Sequence, residues 1–122
     1  MYKSFKEMPI WNSAMEIAEL IFQYTDNLPK KEDFGFTSQI KRAALSISAN
    51  IAEGFGRNYD KDKLNFYYYS RGSITETMSH LEYGKRVGYL NPTGVLGLEK
   101  KLTNLHLVLN KLILSLKSKP KP

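Results

Sequence analysis

The chain has 122 residues, 42% of them hydrophobic and 25% charged, and its formal net charge is +6. This composition predicts one folded domain of modest size and excludes an intrinsically disordered chain. Because the sequence contains no cysteine, it excludes disulfides and thiolate metal sites, and a reducing compartment is expected.

Neither a signal peptide nor a membrane span is predicted. The N-terminal stretch MYKSFKEMPIW lacks the apolar core of a signal peptide. The most hydrophobic stretch, LHLVLNKLILSL, is interrupted by His106, Asn110 and Lys111. It is too short and too polar to cross a bilayer, so we expect a cytoplasmic protein with no membrane association.

The positive charge is concentrated in the second half of the chain. Residues 1–60 hold seven Lys or Arg and eight Asp or Glu, whereas residues 61–122 hold eleven and four. A basic half favours an anionic partner such as RNA or DNA, and solubility explains the same charge equally simply.

Breaker and cap residues divide the chain into four predicted helices. They run over Pro9–Asp26, from Thr37 or Ser38 to Gly54, over Asp60–Val87 with an end near Gly88, and from the Asn91-Pro92 cap to about Lys117. Short connections between long amphipathic helices predict an all-α fold, an antiparallel up-and-down four-helix bundle. We expect one domain over residues 1–117 and a disordered basic tail at residues 118–122.

The fourth helix is apolar on two opposite faces. One face steps by four and three residues through Leu98, Leu102, Leu105, Leu109, Leu112 and Leu116. Leu96, Leu107 and Leu114 fall on nearly the opposite side. Since one bundle buries only one face of a helix, the second face predicts self-association. Scattered surface leucines are the alternative.

The first helix has a similarly wide apolar arc. Its buried face is predicted at Ile10, Ala14, Ile17, Ile21, Tyr24 and Leu28. Trp11, Met15 and Phe22 flank that face. We predict that these three residues, with the second leucine face of the fourth helix, form an oligomer interface.

The second helix combines two apolar edges with a polar ladder. The edges are Ile40, Ala43, Ala44, Ile47, Ile51 and Gly54 on one side, and Leu45, Ser48, Ala49 and Ala52 on the other. The polar ladder is Gln39, Arg42, Ser46, Asn50 and Glu53, spaced three or four residues apart. Two interpretations stay open for it, a solvated face and a hydrogen-bonded network at a helix or subunit junction.

The glycines of the stretch SISANIAEGFGR, Gly54 and Gly56, come at the end of this helix. A phosphate-binding loop needs glycines before a helix, together with a lysine and a serine or threonine that are missing here. We therefore predict left-handed C-terminal cap glycines and a packing role for the stretch.

The third helix carries the run Phe66-Tyr67-Tyr68-Tyr69, whose side chains point in different directions and form no single stacking platform. Phe66 and Tyr67 are predicted in the core, while Tyr68 and Arg71 are predicted to face away from it. The candidate nucleic-acid-binding residues are Arg71, Lys85, Arg86, Lys100, Lys101 and Lys111. A solvated helix face is the alternative interpretation.

The sequence contains no recognisable catalytic or metal-binding motif. Glu76 precedes His80 by four residues, whereas a di-iron bundle needs Glu-x-x-His on two helices. No nucleophile or acid–base pair stands in a known arrangement. We expect a protein that is not an enzyme and that has no cofactor and no metal.

Several segments together carry a family resemblance. They are Trp11 with Ala14-Met15, Leu28-Pro29, GFTSQIKRAALSISANIAEGFGR and FYYYSRGSITE, and the similarity spans about residues 5–116. The chain resembles the bacterial four-helix bundle family that includes proteins encoded by intervening sequences of 23S ribosomal RNA genes. The matching motif residues are Gln39, Arg42, Asn50, Glu53, Gly54, Arg57, Arg71, Gly72 and Ser73; Lys41 and Tyr69-Ser70 depart from the family pattern.

The resemblance implies a ring of five subunits that serves as a scaffold or adapter. The similar accessory variability protein of diversity-generating retroelements binds a reverse transcriptase and nucleic acid through a basic surface. The leading hypothesis is therefore a non-catalytic oligomer that binds RNA, DNA or a nucleoprotein partner. The alternative is a protein-interaction scaffold with no nucleic-acid role.

Overall fold

The computed structural model describes residues 1–119 and contains four long helices. They are α1 (Pro9–Thr25), α2 (Phe36–Gly56), α3 (Asp60–Arg86) and α4 (Pro92–Lys117), with short 3-10 helices at Phe5–Glu7 and Lys30–Glu32. No strand occurs within these residues. The predicted all-α class is confirmed.

The helices form a closed bundle. Consecutive helices pack against each other, and α1 also packs against α4 to complete the ring of contacts. The connections are short, only residues 57–59 between α2 and α3, so neighbouring helices run antiparallel. The predicted up-and-down arrangement is confirmed.

The bundle core is built mainly from isoleucine and leucine. Fully buried side chains come from all four helices: Ile17 and Ile21, Ile40, Ile47 and Ile51, Ile74 and Leu81, and Leu98, Leu102, Leu105 and Leu109. Tyr67 is buried among them, as predicted. Phe66 is only half-buried, because it lies at the α2–α3 edge with Arg57 over its ring at 4.6 Å.

Two predicted core positions on α1 and α4 are wrong by one residue. Tyr24 is exposed and Thr25 is buried in its place, while Leu112 is half-buried and Ile113 is buried. A straight helix repeats every 3.6 residues, so strict heptad spacing drifts off the buried face over several turns. The buried Thr25 hydroxyl donates to the Ile21 carbonyl at 2.7 Å, which satisfies it.

The start and end signals around the α3–α4 connection are confirmed. The Asn91 side chain accepts a hydrogen bond from the Thr93 amide at 2.8 Å, and Pro92 occupies the first turn of α4. Gly88, just after α3, has a φ of +83°, a conformation that glycine adopts without steric cost.

The predicted caps of α2 are wrong at both ends. The helix begins at Phe36, before Thr37 and Ser38, and its first amide donates to Glu32 Oε1 at 3.2 Å. Gly54 and Gly56 lie inside the helix, and neither has a positive φ.

Lys63, from α3, caps the last turn of α2 instead. Its Nζ donates to the carbonyls of Gly54 at 3.1 Å and Phe55 at 2.8 Å. A cation is favourable there because a helix C-terminus carries partial negative charge.

The predicted basic tail lies mostly outside the described residues, which end at Lys119. Ser118 still donates its amide to the Leu114 carbonyl, and Lys119 lies 3.6 Å from Asp60. Within residues 1–119, no helix combines the length and apolar character needed to cross a membrane.

Candidate nucleic-acid interface

The six candidate nucleic-acid-binding residues divide into paired and unpaired cations. On α3, Lys85 and Arg86 share one carboxylate, Glu82, at 2.9 and 2.8 Å. Hydrogen bonds from Arg86 and then Lys85 hold the pKa of Glu82 below its usual range. These two cations and their carboxylate therefore leave a net charge of one rather than two.

Lys101 is paired as well, and it faces a different side of the bundle. Its Nζ lies 2.9 Å from Glu16 of α1, so it points towards the α1–α4 edge rather than towards α3. Both side chains are substantially exposed, and exposed ion pairs of this kind contribute at most about 1 kcal/mol to stability.

Lys100 and Lys111 are exposed cations on the outer face of α4. Neither has a carboxylate at ion-pair distance among residues 1–119. They are separated by 11 residues, about three helical turns, so they project from the same side.

Arg71 does not face away from the bundle as predicted. It is half-buried in the α3–α4 groove, where its Nη1 donates to Asn110 Oδ1 at 3.0 Å. Its guanidinium lies 5.1 Å from the ring centre of Tyr68, which is also half-buried and packs against the core. Tyr68 and Arg71 are one turn apart on α3, and both side chains face α4.

Asn110 is held by a second hydrogen bond. Its Nδ2 lies 3.2 Å from His106 Nδ1. An arginine only donates, so Asn110 must present its oxygen to Arg71 and its amide nitrogen to His106. With Asn110 in this orientation, His106 accepts the hydrogen bond at Nδ1.

An open cleft adjoins this chain of hydrogen bonds. Its volume is about 370 Å³, and it is lined by Tyr68, Arg71, Asn110, Ile113, Leu114 and Lys117. Lys117 was not among the candidates, because its position in the last turn of α4 resembles an ordinary charge at a helix C-terminus. Its proximity to Arg71 depends on how α3 and α4 pack.

The polar ladder of α2 is partly a network and partly a solvated face. Asn50 Nδ2 donates to the carbonyl and hydroxyl oxygens of Ser46 at 2.8 and 2.9 Å, and Ser73 of α3 donates to the same hydroxyl at 2.8 Å. Gln39 and Arg42 are exposed. Glu53 is exposed too and pairs with Arg57 at 3.2 Å.

The predicted interface residues of α1 differ in their exposure. Trp11 is half-buried, with its ring edge-on to Phe5 at 5.0 Å, and Met15 is half-buried. Phe22 is 58% exposed and has Lys41 Nζ 4.8 Å from its ring centre. Much of the Trp11 surface is therefore covered within the chain, whereas Phe22 is open.

The second leucine face of α4 is exposed on the surface of the chain. Leu96, Leu107 and Leu114 are 53%, 56% and 62% exposed. Leu45, on the second apolar edge of α2, is 54% exposed. We call Leu96, Leu107 and Leu114 the α4 stripe.

Among residues 1–119, the histidine of α3 has one carboxylate at ion-pair distance. His80 Nε2 lies 3.3 Å from Glu76. Among residues 1–119, no three His, Asp or Glu side chains are grouped closely enough to hold a metal ion.

Comparison with known proteins places this bundle in a family. The family model described as 23S rRNA-intervening sequence protein matches residues 6–111. The chain belongs to the 23S rRNA-intervening sequence protein family. The match covers α1 to α3 and most of α4, and it ends before Leu114 and Lys117.

A solved structure has the same fold as this intervening sequence protein. It is a protein of unknown function from the S23 ribosomal protein family of Bacteroides thetaiotaomicron VPI-5482, with a TM-score of 0.77 and 23% sequence identity. The alignment covers 85% of the present chain and 97% of the other. A search among curated proteins found no match.

Three of the motif residues behind the family resemblance, Asn50, Gly54 and Ser73, lie where α2 meets α3 in this intervening sequence protein. Ser73 reaches the polar ladder, and Gly54 gives the Tyr67 ring room to pack on the α2 backbone. Arg71 is different, because it turns towards α4.

Proposed function

We propose that this intervening sequence protein is a non-catalytic scaffold that assembles with copies of itself and binds nucleic acid through α3 and α4. One observation carries the nucleic-acid part. Among residues 1–119, no carboxylate lies at ion-pair distance from Arg71, Lys100, Lys111 or Lys117, and all four belong to these two helices.

The charge of α4 supports this proposal. Its 26 residues include four lysines and one acidic residue, Glu99. Unpaired surface cations attract polyanions and release condensed counterions when they meet phosphates. RNA is the first ligand to test because the family is described by a 23S rRNA intervening sequence.

Self-association is supported by the unpartnered apolar side chains. The α4 stripe lies on a different helix from the exposed Phe22 and Leu45, which belong to α1 and α2. When two different patches of one chain pair head-to-tail, the assembly closes into a ring if the rotation permits. This agrees with the ring of five that the family resemblance implies.

The nucleic-acid proposal is tested by the salt dependence of binding. Fluorescence anisotropy of a labelled single-stranded RNA is measured between low and physiological salt. We expect the logarithm of affinity to fall with the logarithm of salt concentration by about 0.7 per phosphate contacted. In the double variant Lys100→Gln/Lys111→Gln, this slope should be shallower by the amount that corresponds to about one to two phosphate contacts.

A matched control separates local contact from total charge. Lys30→Gln/Lys31→Gln removes the same charge from the exposed α1–α2 connection and should leave the slope nearly unchanged. An equal decrease of the slope in both double variants, or an affinity that is independent of salt concentration, would contradict a specific surface on α4.

The protein-interaction alternative draws on the exposed leucines of the α4 stripe. If the chain serves only protein partners, purified protein should not bind RNA at low salt. A protein partner should then stay bound after nuclease treatment, and substitution in the α4 stripe should release it.

A further inference from the structure

We propose that the α3–α4 cleft is a phosphate site for a single strand of nucleic acid, with Arg71 as its main ligand and Lys117 as a second cation at its rim. This inference rests on the proposed function and names the place where the backbone of the strand enters the protein. The lining residues of the cleft come from the end of α4 and the middle of α3.

The surroundings of Arg71 leave its charge uncompensated. The guanidinium is half-buried, and its partners among residues 1–119 are neutral: the Asn110 amide oxygen at 3.0 Å and the Tyr68 ring at 5.1 Å. Withdrawing a cation from water is costly unless an anion or several acceptors replace the solvent. An anion that enters the cleft supplies that compensation.

The guanidinium also has donors to spare. It carries five N–H groups, and it makes one hydrogen bond within the described chain. A phosphate accepts two parallel N–H bonds from an arginine, which is stronger and more directional than a contact with a lysine.

The neighbouring side chains hold Arg71 in place before a ligand arrives. Tyr68 supports one face of the guanidinium, and Asn110 fixes one edge. Asn110 is in turn fixed by His106 at 3.2 Å. Affinity is higher when a binding group is already ordered, because less side-chain entropy is lost on binding.

The shape of the cleft favours a single strand over a duplex. Its volume of about 370 Å³ suits one phosphate with its sugar, and its walls are partly apolar, from Tyr68, Ile113 and Leu114. A flexible strand can bend a phosphate into a recess between two helices, whereas a stiff duplex presents its phosphates on a convex surface. Unstacked bases also pack on exposed apolar and aromatic side chains.

Leu114 belongs both to the cleft and to the α4 stripe. A second copy that covers the stripe would form an outer wall of the cleft, so experiments on the site must leave Leu114 unchanged and must record the mass of the assembly.

The test compares two arginines that both lie over an aromatic ring but differ in burial and in charge partner. Arg71→Gln is measured beside Arg57→Gln, because Arg57 also stacks on an aromatic ring, Phe66, at 4.6 Å but is paired with Glu53. Affinity for a labelled ten-nucleotide oligouridine is measured by anisotropy at fixed salt. Arg71→Gln should weaken binding about tenfold, and Arg57→Gln should change it less than twofold.

A conservative variant and a direct probe complete the test. Arg71→Lys keeps the charge but cannot donate two parallel bonds, so its affinity should fall between wild type and Arg71→Gln. The Arg71 side-chain Nε–Hε resonance should shift when the oligouridine is added. A ten-base-pair RNA duplex at the same concentration should shift it less.

Several results would overturn the inference. If Arg71→Gln and Arg57→Gln have equal effects while wild type still binds RNA, the cleft is excluded as the phosphate site but the proposed function is not contradicted. A resonance shift with inorganic phosphate alone, at the concentration of oligouridine that saturates wild type, would assign the cleft to free phosphate. A change in assembly mass in Arg71→Gln would assign Arg71 to a contact between copies. Absence of RNA binding by wild type would overturn both proposals.

Discussion

The backbone of α2 packs directly on an aromatic ring of α3: a Cβ atom added to Gly54 would lie 2.5 Å from Cε1 of Tyr67. Tyr67 is buried, with 3% of its surface exposed, and that burial also raises the pKa of its hydroxyl. The absence of a side chain at Gly54 therefore sets how closely α2 and α3 approach at the level of this tyrosine.

Gly54→Ala should destabilise the bundle. Alanine favours a helix over glycine by about 1 kcal/mol, but forcing the buried Tyr67 ring aside should cost about 1–3 kcal/mol. Gly72→Ala is the control, because Gly72 lies inside α3 with nothing within 4 Å of its added Cβ. Urea denaturation should show a lower free energy of unfolding for Gly54→Ala and a higher one for Gly72→Ala. Stabilisation by both would show that the Tyr67 ring moves freely.

Thr37→Val should stabilise the protein by about 1 kcal/mol. The Thr37 hydroxyl is buried and has no hydrogen-bond partner among residues 1–119. Thr77→Val makes the same change where the buried hydroxyl donates to the Ser73 carbonyl at 2.7 Å. That variant should lose about 0.5–1.5 kcal/mol. Both are read from thermal unfolding, and a loss of stability in Thr37→Val would show that its hydroxyl is hydrogen-bonded in solution.

The stability of the bundle should depend on pH through Glu32 and Tyr89. The Tyr89 hydroxyl donates to Glu32 Oε2 at 2.7 Å, and this bond and then the Phe36 amide lower the pKa of Glu32 below its ordinary value of 4.5. A carboxyl with a lowered folded-state pKa stabilises the folded state above its unfolded-state value. This contribution should be lost as the pH falls below about 4.5 and through the lowered pKa.

The same hydrogen bond also makes the stability of the folded state fall at alkaline pH. The hydrogen bond to Glu32 raises the pKa of Tyr89 above its ordinary value of 10.0, so the contribution of Tyr89 is complete below that value and is lost as the pH rises through the raised one. Tyr89→Phe should flatten the stability profile at both ends. Tyr83→Phe is the control, because the Tyr83 hydroxyl makes no hydrogen bond among residues 1–119. This variant should keep the acid limb, that is, the loss of stability at acid pH. An unchanged acid limb in Tyr89→Phe would contradict the role of this bond.

Leu107→Asp should break self-association. Wild type is expected to elute and scatter light as an assembly, about 70 kDa for five copies of 14.0 kDa. Each buried leucine contributes about 1.5–3 kcal/mol, and a carboxylate in its place adds a desolvation cost. Ser115→Asp, an exposed α4 position outside the α4 stripe, should keep the assembly mass. A wild-type monomer at micromolar concentration would contradict the assembly.

Local signals in the sequence determined the four helices and the fold. The Asn91-Pro92 start of α4, the Gly88 stop after α3 and the apolar spacing along each helix act within one or two turns. Such signals are readable because each depends on residues that are near one another in the chain. The surplus leucine face of α4 was visible in the same way, since its exposure follows from helical periodicity alone.

The tertiary structure alone decided which side chains meet across helices. Arg71 and Asn110 are 39 residues apart, and the pairing of Arg71 with α4 rather than solvent depends on the rotation and axial offset of two helices. The one-residue shifts to Thr25 and Ile113 have the same origin, because a rotation of a fraction of a turn exchanges neighbours at the edge of the buried face. The Lys63 cap of α2 likewise needs the α2–α3 corner to be folded. Short-range spacing does not encode these rotations and offsets, since they are set by the packing of all four helices at once.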